Sequence, residues 1–152
     1  MDSDKIVCLP NVKRYYRDNP QLIKKYREIA KKKKCPFCQR NIRNEGFSFV
    51  AETNDWWAIK NSYPYKNSAL HLLIIPKRHV ISLNALYPEE WNQMAKVIGI
   101  VFGKYPFLAK GYGLAIRDGK VGGVTLFHLH FHLIAPKVEL ITGQIAVNFG
   151  IG

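Results

Sequence analysis

The chain has 152 residues, 47% hydrophobic, 12% aromatic and 22% charged, which is enough for one domain with a core and too little for two. Apolar runs punctuated by Gly and Pro continue to the last residue, which excludes a disordered chain and a collagen-like repeat. Twenty-three Lys and Arg against eleven Asp and Glu give +12, and residues 1–40 hold twelve of the bases and four of the acids, so +8 of that charge is N-terminal. Such a balance attracts phosphate on nucleic acid, an anionic membrane or a small nucleotide without distinguishing among them.

No apolar stretch approaches the ~20 residues of a membrane-spanning helix, and the start, with Asp2 and Asp4, lacks the apolar core of a leader. The expectation is a soluble, unsecreted, cytoplasmic protein with no membrane partner. Cys8, Cys35 and Cys38 form an odd set, a poor basis for disulfides, which points to a reducing compartment.

In chain order, Asn19-Pro20 reads as an N-cap and first-turn proline. Leu22, Ile23, Tyr26, Ile29 and Ala30 then recur at helical spacing until the run Lys31–Lys34. Those lysines suit the negative end of a helix dipole and equally suit an anionic partner. After Cys35-Pro-Phe-Cys38, residues 47–51 and 56–60 read as antiparallel strands, followed by the turn-like Asn61–Ser68. Residues 70–75 are almost continuously apolar and stop at Pro76, the pattern of a central strand covered on both faces, with His71 buried in it.

Pro88 opens the clearest helix, 88–103, with Trp91, Met94, Ala95, Ile98, Val101 and Phe102 on one stripe and Glu89, Glu90, Asn92, Gln93 and Lys96 opposite. Strands at 112–117 and 126–135 follow, joined by the glycine-bearing turn 118–123. Residues 145–149 are also strand-like. The sum is an α+β domain: an antiparallel sheet of about five strands with one packed helix, plus a basic N-terminal helix.

Residues 126–134 alternate histidine with large apolar residues. On a strand, His128, His130 and His132 share one face at ~7 Å intervals. Phe127, Leu129, Phe131 and Leu133 take the other and pack on helix 88–103. A row of three imidazoles directly after Gly122-Gly123-Val124-Thr125 can divide the tasks of metal ligand, proton carrier and nucleophile. The glycine turn offers backbone N–H groups to a phosphate, and Thr125 adds a hydroxyl. Cys35-x-x-Cys38 is the spacing of half a tetrahedral zinc site, and also of a redox pair or of two unligated thiols.

Gly123-Val-Thr-Leu-Phe-His128-Leu-His130-Phe-His132 resembles the pattern of the histidine triad superfamily of nucleotide hydrolases and transferases. His71-Leu-Leu-Ile-Ile-Pro-Lys-Arg-His79 is similar to the family's second histidine element, and the resemblance spans residues 35–136. The division is then a basic helical extension at 1–34, outside the resemblance, and a triad-type domain at 35–152. It further implies a structural zinc held by Cys35, Cys38, His79 and His128. His130 is then the nucleophile that attacks the α-phosphorus of a nucleoside phosphoramidate or dinucleoside polyphosphate, forming a nucleotidyl-histidine that water hydrolyses. His71 supports it, His132 contacts phosphate, and Thr125 sits near the leaving group. The nucleotide-binding set is Asn61, Arg117, Gly123, Thr125 and His132.

Two departures bear on substrate. Arg117 stands where hydrolase members carry Asn or Gln, and it either clamps phosphate or pairs with an acid such as Asp118 or Glu139. His132 replaces the Gln of the transferase branches, which favours hydrolysis. Family members commonly form homodimers by extending the sheet, and residues 144–152 are placed to reach across such an interface. The basic first 40 residues admit two other readings: removal of adenylate from nucleic-acid ends, and a non-catalytic zinc-stabilised nucleotide- or RNA-binding module.

Overall fold

Asn19 opens a helix as its sequence context demands: its Oδ1 accepts from the Leu22 N–H at 3.0 Å, and Pro20 takes the first position of α2 (Pro20–Lys32). The computed structural model describes residues 6–139, 141 and 143–152, so Asp2 and Asp4 lie outside it. Before α2 comes a short helix not expected from the sequence, α1 (Leu9–Tyr15), with Pro10 in its first turn. The basic segment is therefore a pair of helices.

The sheet has five strands, β1 (Phe49–Glu52), β2 (Trp56–Lys60), β3 (Ser68–Pro76), β4 (Gly113–Ile116) and β5 (Phe131–Pro136). Their order is β1-β2-β3-β5-β4, every pair antiparallel. A two-stranded ribbon, β6 (Val138–Glu139) and β7 (Gly143–Gln144), follows. No helix among the described residues is long and apolar enough to cross a membrane.

The apolar run of β3 is explained by its central place. Leu72 and Ile74 face α3 (Pro88–Lys104) together with Trp56, Ala58, Leu133, Met94, Val97 and Val101. Leu73 and Ile75 face the other way, with Trp57 and Ile59, under Val12 of α1 and the apolar side of α2. Period-two alternation sends neighbours to opposite layers, and each buried Leu or Ile contributes roughly 1.5–3 kcal/mol. Register sets the site: Leu73 lies opposite His132 and His71 opposite Ile134, so both imidazoles share the face that the N-terminal helices cover.

Two expectations change. The histidine run is not one strand: β5 begins at Phe131, and residues 126–130 leave the sheet. β3 has ended at Pro76, so they find other partners, Leu126 bridging to Val7, Phe127 N–H donating to Ile6 O at 2.8 Å and Leu129 N–H to Val80 O at 2.6 Å. Phe127 consequently borders a groove beside Val7 and Leu9 and does not pack on α3.

The buried face of α3 is also rotated from the expected stripe. It is Glu90, Met94, Val97 and Val101, with Trp91 and Ala95 exposed. Glu90 turns inward because Arg78 grips its carboxylate with Nε at 3.0 Å and a terminal nitrogen at 2.7 Å, and the Tyr87 N–H donates at 2.8 Å. That bidentate bond holds the Glu90 carboxyl below its ordinary range. Glu90→Ala leaves the Arg78 guanidinium without its fork partner. Because the guanidinium is partly solvated, the expected loss is about 2 kcal/mol in urea unfolding. The pair's contribution is present above the unfolded carboxyl pKa and disappears as pH falls through the depressed folded value.

Candidate active site and metal centre

The Cys35–Cys38 turn is held by the Asn41 side chain, which donates to Cys35 O at 2.8 Å. It presents both sulfurs to two imidazoles. Cys35 Sγ lies 3.3 Å from His128 Nδ1, and Cys38 Sγ lies 3.2 Å from His79 Nδ1 and 3.8 Å from His128 Nδ1. All four donor atoms fall within 4.8 Å of one another. Zinc–sulfur and zinc–nitrogen bonds of about 2.3 and 2.05 Å give tetrahedral S–N edges of about 3.6 Å, so the set fits such a cation.

His128 Nε2 donates to Pro76 O at 2.8 Å, which fixes the tautomer and turns the Nδ1 lone pair to the thiols. The Cys38 thiol is pushed down to about 3, chiefly by its hydrogen bond from Cys35 and then by the histidines; that same bond, with burial, pushes Cys35 up. The structure thus brings together the four residues singled out as ligands, and these can bind a metal.

Two residues beyond His128, His130 is half-buried and outside the ligand cluster. Its Nδ1 lies 2.7 Å from His128 O, and only a protonated Nδ1 can bond there. The Nε2 lone pair is therefore free. Burial lowers its pKa to about 4 against the opposing effect of that backbone bond, so the ring is neutral at pH 7. The Phe37 ring lies edge-on at 5.4 Å.

His71 and His132 form a relay behind it. The Tyr65 N–H donates to His71 Nδ1 at 3.1 Å, so His71 carries its proton on Nε2 and donates it to His132 Nδ1 at 2.9 Å. His132 in turn must hold its proton on Nε2, and that buried atom has no hydrogen-bond partner among the described residues. Burial drives both rings below the ordinary histidine range, His71 to about 4. The unfolded chain therefore binds protons that the folded chain refuses, and stability falls as pH drops from about 6.5 toward 4. A thermal melt series across that window should show this, with a smaller slope in His71→Asn.

Of the remaining expected residues, Asn61 touches this relay directly and Arg117 reaches it through Tyr65, while Gly123 and Thr125 contact other groups. Asn61 Nδ2 is 3.1 Å from His71 Nε2, and its Oδ1 accepts from the Tyr63 N–H at 2.9 Å. The Gly123 N–H donates to Lys120 O at 3.1 Å, its φ is 94°, and the Tyr15 hydroxyl sits where a Cβ would project. Thr125 is buried and hydrogen-bonded to the Tyr26 hydroxyl. Arg117 donates from Nε to Gly150 O at 2.7 Å and from a terminal nitrogen to the Tyr65 hydroxyl at 2.9 Å. Asp118 instead accepts from Ser82 Oγ and the Leu83 N–H.

Sequence reasoning missed Tyr15, Tyr26 and Phe149. The Phe149 ring lies 5.1 Å from His132, Arg117 stacks on it at 3.9 Å, and Tyr26 lines a cleft with Phe37 and Asn61. The signal was present for Tyr26, an aromatic with a polar tip on the apolar side of a lysine-rich helix. For Phe149 there was none.

The HIT domain model matches residues 41–139. Protein HitA of Neisseria gonorrhoeae is 34% identical over 110 residues, 68% of this chain and 97% of its own. A histidine triad protein from Clostridium difficile superposes with TM-score 0.58 at 25% identity, covering 69% of this chain and 93% of that one. A structure named as a HIT family hydrolase from Clostridium thermocellum gives TM-score 0.56 at 28% identity, covering 68% and 90%. With the domain model spanning well over half of its length, the chain belongs to the histidine triad (HIT) family.

Proposed function

We propose that the protein is a nucleotidyl hydrolase that cleaves at the α-phosphate of a nucleoside phosphoramidate or dinucleoside polyphosphate. The observation that carries this reading is the tautomer of His130: Nδ1 is committed to His128 O at 2.7 Å, which leaves Nε2 unprotonated on a half-buried ring beside an orphaned donor on His132. The name of the Clostridium thermocellum hydrolase is consistent with it.

In this mechanism the Nε2 lone pair of His130 forms an N–P bond to the α-phosphorus, while the bond from phosphorus to the leaving nitrogen or oxygen breaks and its electron pair departs with that atom. His132 donates its Nε2 proton as a hydrogen bond to a non-bridging oxygen, and Thr125 offers a hydroxyl to the leaving atom. Asn61 contacts the ribose and Arg117 the phosphates. Water then attacks phosphorus, the N–P bond breaks, and His130 is restored as the neutral ring with release of a nucleoside monophosphate. Cys35, Cys38, His79 and His128 would hold a zinc ion, which would cross-link their segments and neutralise the two thiolates.

The test is incubation with adenosine phosphoramidate and with diadenosine triphosphate, quenched in alkali, where an N–P bond survives. AMP release with a nucleotidyl adduct mapped to His130 supports the reading; salt-sensitive nucleotide or oligonucleotide binding without turnover supports a binding module.

One observation favours a second reading, removal of adenylate from nucleic-acid ends. Lys25 and Tyr26 line the cleft beside Asn61 and Phe37, and Lys24, Arg27 and Lys31–Lys34 are exposed cations on and just after the same helix. The exposed edge of β4, with Leu114 outermost, is where a sheet-extending homodimer would form. Function in the cytoplasm fits both readings.

A further inference from the structure

Residues 145–152 run across the face of the sheet that carries His71 and His132, with half-buried Ile145, Val147 and Phe149 alternating with exposed Ala146, Asn148 and Gly150. The near end is tied by the Ile145 N–H, which donates to Lys137 O at 3.0 Å, and by Asn67 Nδ2, which donates to Ala146 O at 3.2 Å. Three bonds hold the far end: Arg117 Nε to Gly150 O at 2.7 Å, the Tyr15 hydroxyl to Gly152 O at 2.6 Å, and the Gly152 N–H to Gly122 O at 3.4 Å. The Arg117 guanidinium is stacked on two rings, 3.9 Å from that of Phe149 and 4.8 Å from that of Tyr15. The fit at this end is close, since a Cβ on Gly150 would lie 3.3 Å from Tyr15 Cε1 and one on Gly123 3.2 Å from Gly152 N.

Of the five residues expected to bind nucleotide, this segment touches three: Arg117 through Gly150 O, Gly123 at Gly152 N, and His132, whose ring lies 5.1 Å from that of Phe149. Arg117 Nε cannot serve Gly150 O and a phosphate oxygen at once, and the charge-assisted bond to phosphate is the stronger of the two. Between its two ends the segment bridges a groove lined by Ala69, Gly113, Ala115 and Ile134, small side chains that leave its underside loosely filled. Its hold on the sheet therefore lies mainly in a few bonds at either end, and a segment so held opens at low cost.

We propose that residues 145–152 are an autoinhibitory strap, latched by Tyr15 and Arg117, that occupies the contacts a nucleotide needs on Arg117, the glycine turn and His132, so that nucleotide binds only the open form. This rests on the proposed nucleotide hydrolase reading and adds a means of regulating that site. Because the closed form binds nothing, the apparent affinity is reduced by the open fraction: a strap open about a tenth of the time weakens it about tenfold. The strap and Tyr15 both lie outside the matched domain, residues 41–139, so the device belongs to this chain's own additions.

Two measurements with AMP, the product of the proposed reaction, test this. The first is amide hydrogen exchange on the unaltered chain, free and saturated with AMP. Binding should speed exchange across 145–152 several-fold, whereas a segment that closes over its ligand would exchange more slowly. The second is calorimetric titration of AMP into the wild type and into Tyr15→Phe and Phe149→Ala, each checked for an unchanged melting profile. Loosening the strap should lower the apparent Kd by about threefold or more in both variants. Slower or unchanged exchange on binding, or a Kd that both variants leave alone or raise, overturns the strap. If AMP binds none of the three proteins, the nucleotide reading itself fails and the strap falls with it; if AMP binds the wild type and exchange does not quicken, that reading stands and only the strap is lost.

Discussion

On the proposed mechanism, replacing His130 by alanine should lower kcat for release of AMP from adenosine phosphoramidate at least about 10⁴-fold, the scale on which removal of a covalent nucleophile is felt. The ring is half-buried and its hydrogen bond is to the adjacent His128 carbonyl, so the melting temperature should move little. That separates chemistry from folding. His132→Ala removes one oxyanion donor and should cost about 10²–10³-fold. His71→Ala should cost less, since His71 acts through the proton it gives His132 at 2.9 Å. The ordering His130 > His132 > His71 is the signature of the relay. His130→Gly with added imidazole should regain part of the turnover, because the pocket then holds a diffusible ring in the same place. An alanine variant that retains a tenth of wild-type kcat places the nucleophile elsewhere.

Much of this site was legible from local pattern. The run 70–75 reads as a doubly covered strand because both faces of β3 carry apolar layers, and the helix at 88 is set by Pro88 and its acidic first turn. The Cys35–Cys38 pair was readable because spacing along one turn fixes which atoms can meet, while His79, His128 and the part given to His130 came from the resemblance of the two histidine motifs. Errors arose where a distant partner decides the outcome. Glu90 reads as solvent-facing until Arg78 supplies a fork, twelve residues away and across a turn. The alternation at 126–130 mimics strand continuation, but the strand it would pair with stops at Pro76, and the backbone turns to Ile6 and Val80 instead. Hardest of all were contacts such as Tyr15 to Gly152, 137 residues apart, for which neither end carries a local signal.

Stripping the metal is expected to have the second large effect. A chelator such as dipicolinate, applied to protein purified with zinc, should lower the melting temperature by roughly 8–16 °C. The figure follows from about 4 kcal/mol, the linkage contribution of a cation bound a thousandfold tighter than its free concentration, at roughly 2–4 °C per kcal/mol for a chain of this size. The loss has identifiable seats. Cys35 and Cys38 lie on a turn secured chiefly by Asn41, His79 is exposed on the loop after β3, and His128 lies in the irregular stretch before β5. Three separate segments thus depend on one centre. Because the ligands must give up a proton to bind, metal stabilisation should fade as pH drops, and the difference between metal-loaded and stripped melting temperatures should narrow toward acid. Cys38→Ser should reproduce the stripped melting temperature and abolish the response to chelator. It should also reduce turnover, since His128 supplies the carbonyl that fixes the His130 tautomer at 2.7 Å. A stripped protein that melts with the loaded one and binds no zinc on titration would show the four donors to be a hydrogen-bonded cluster and nothing more.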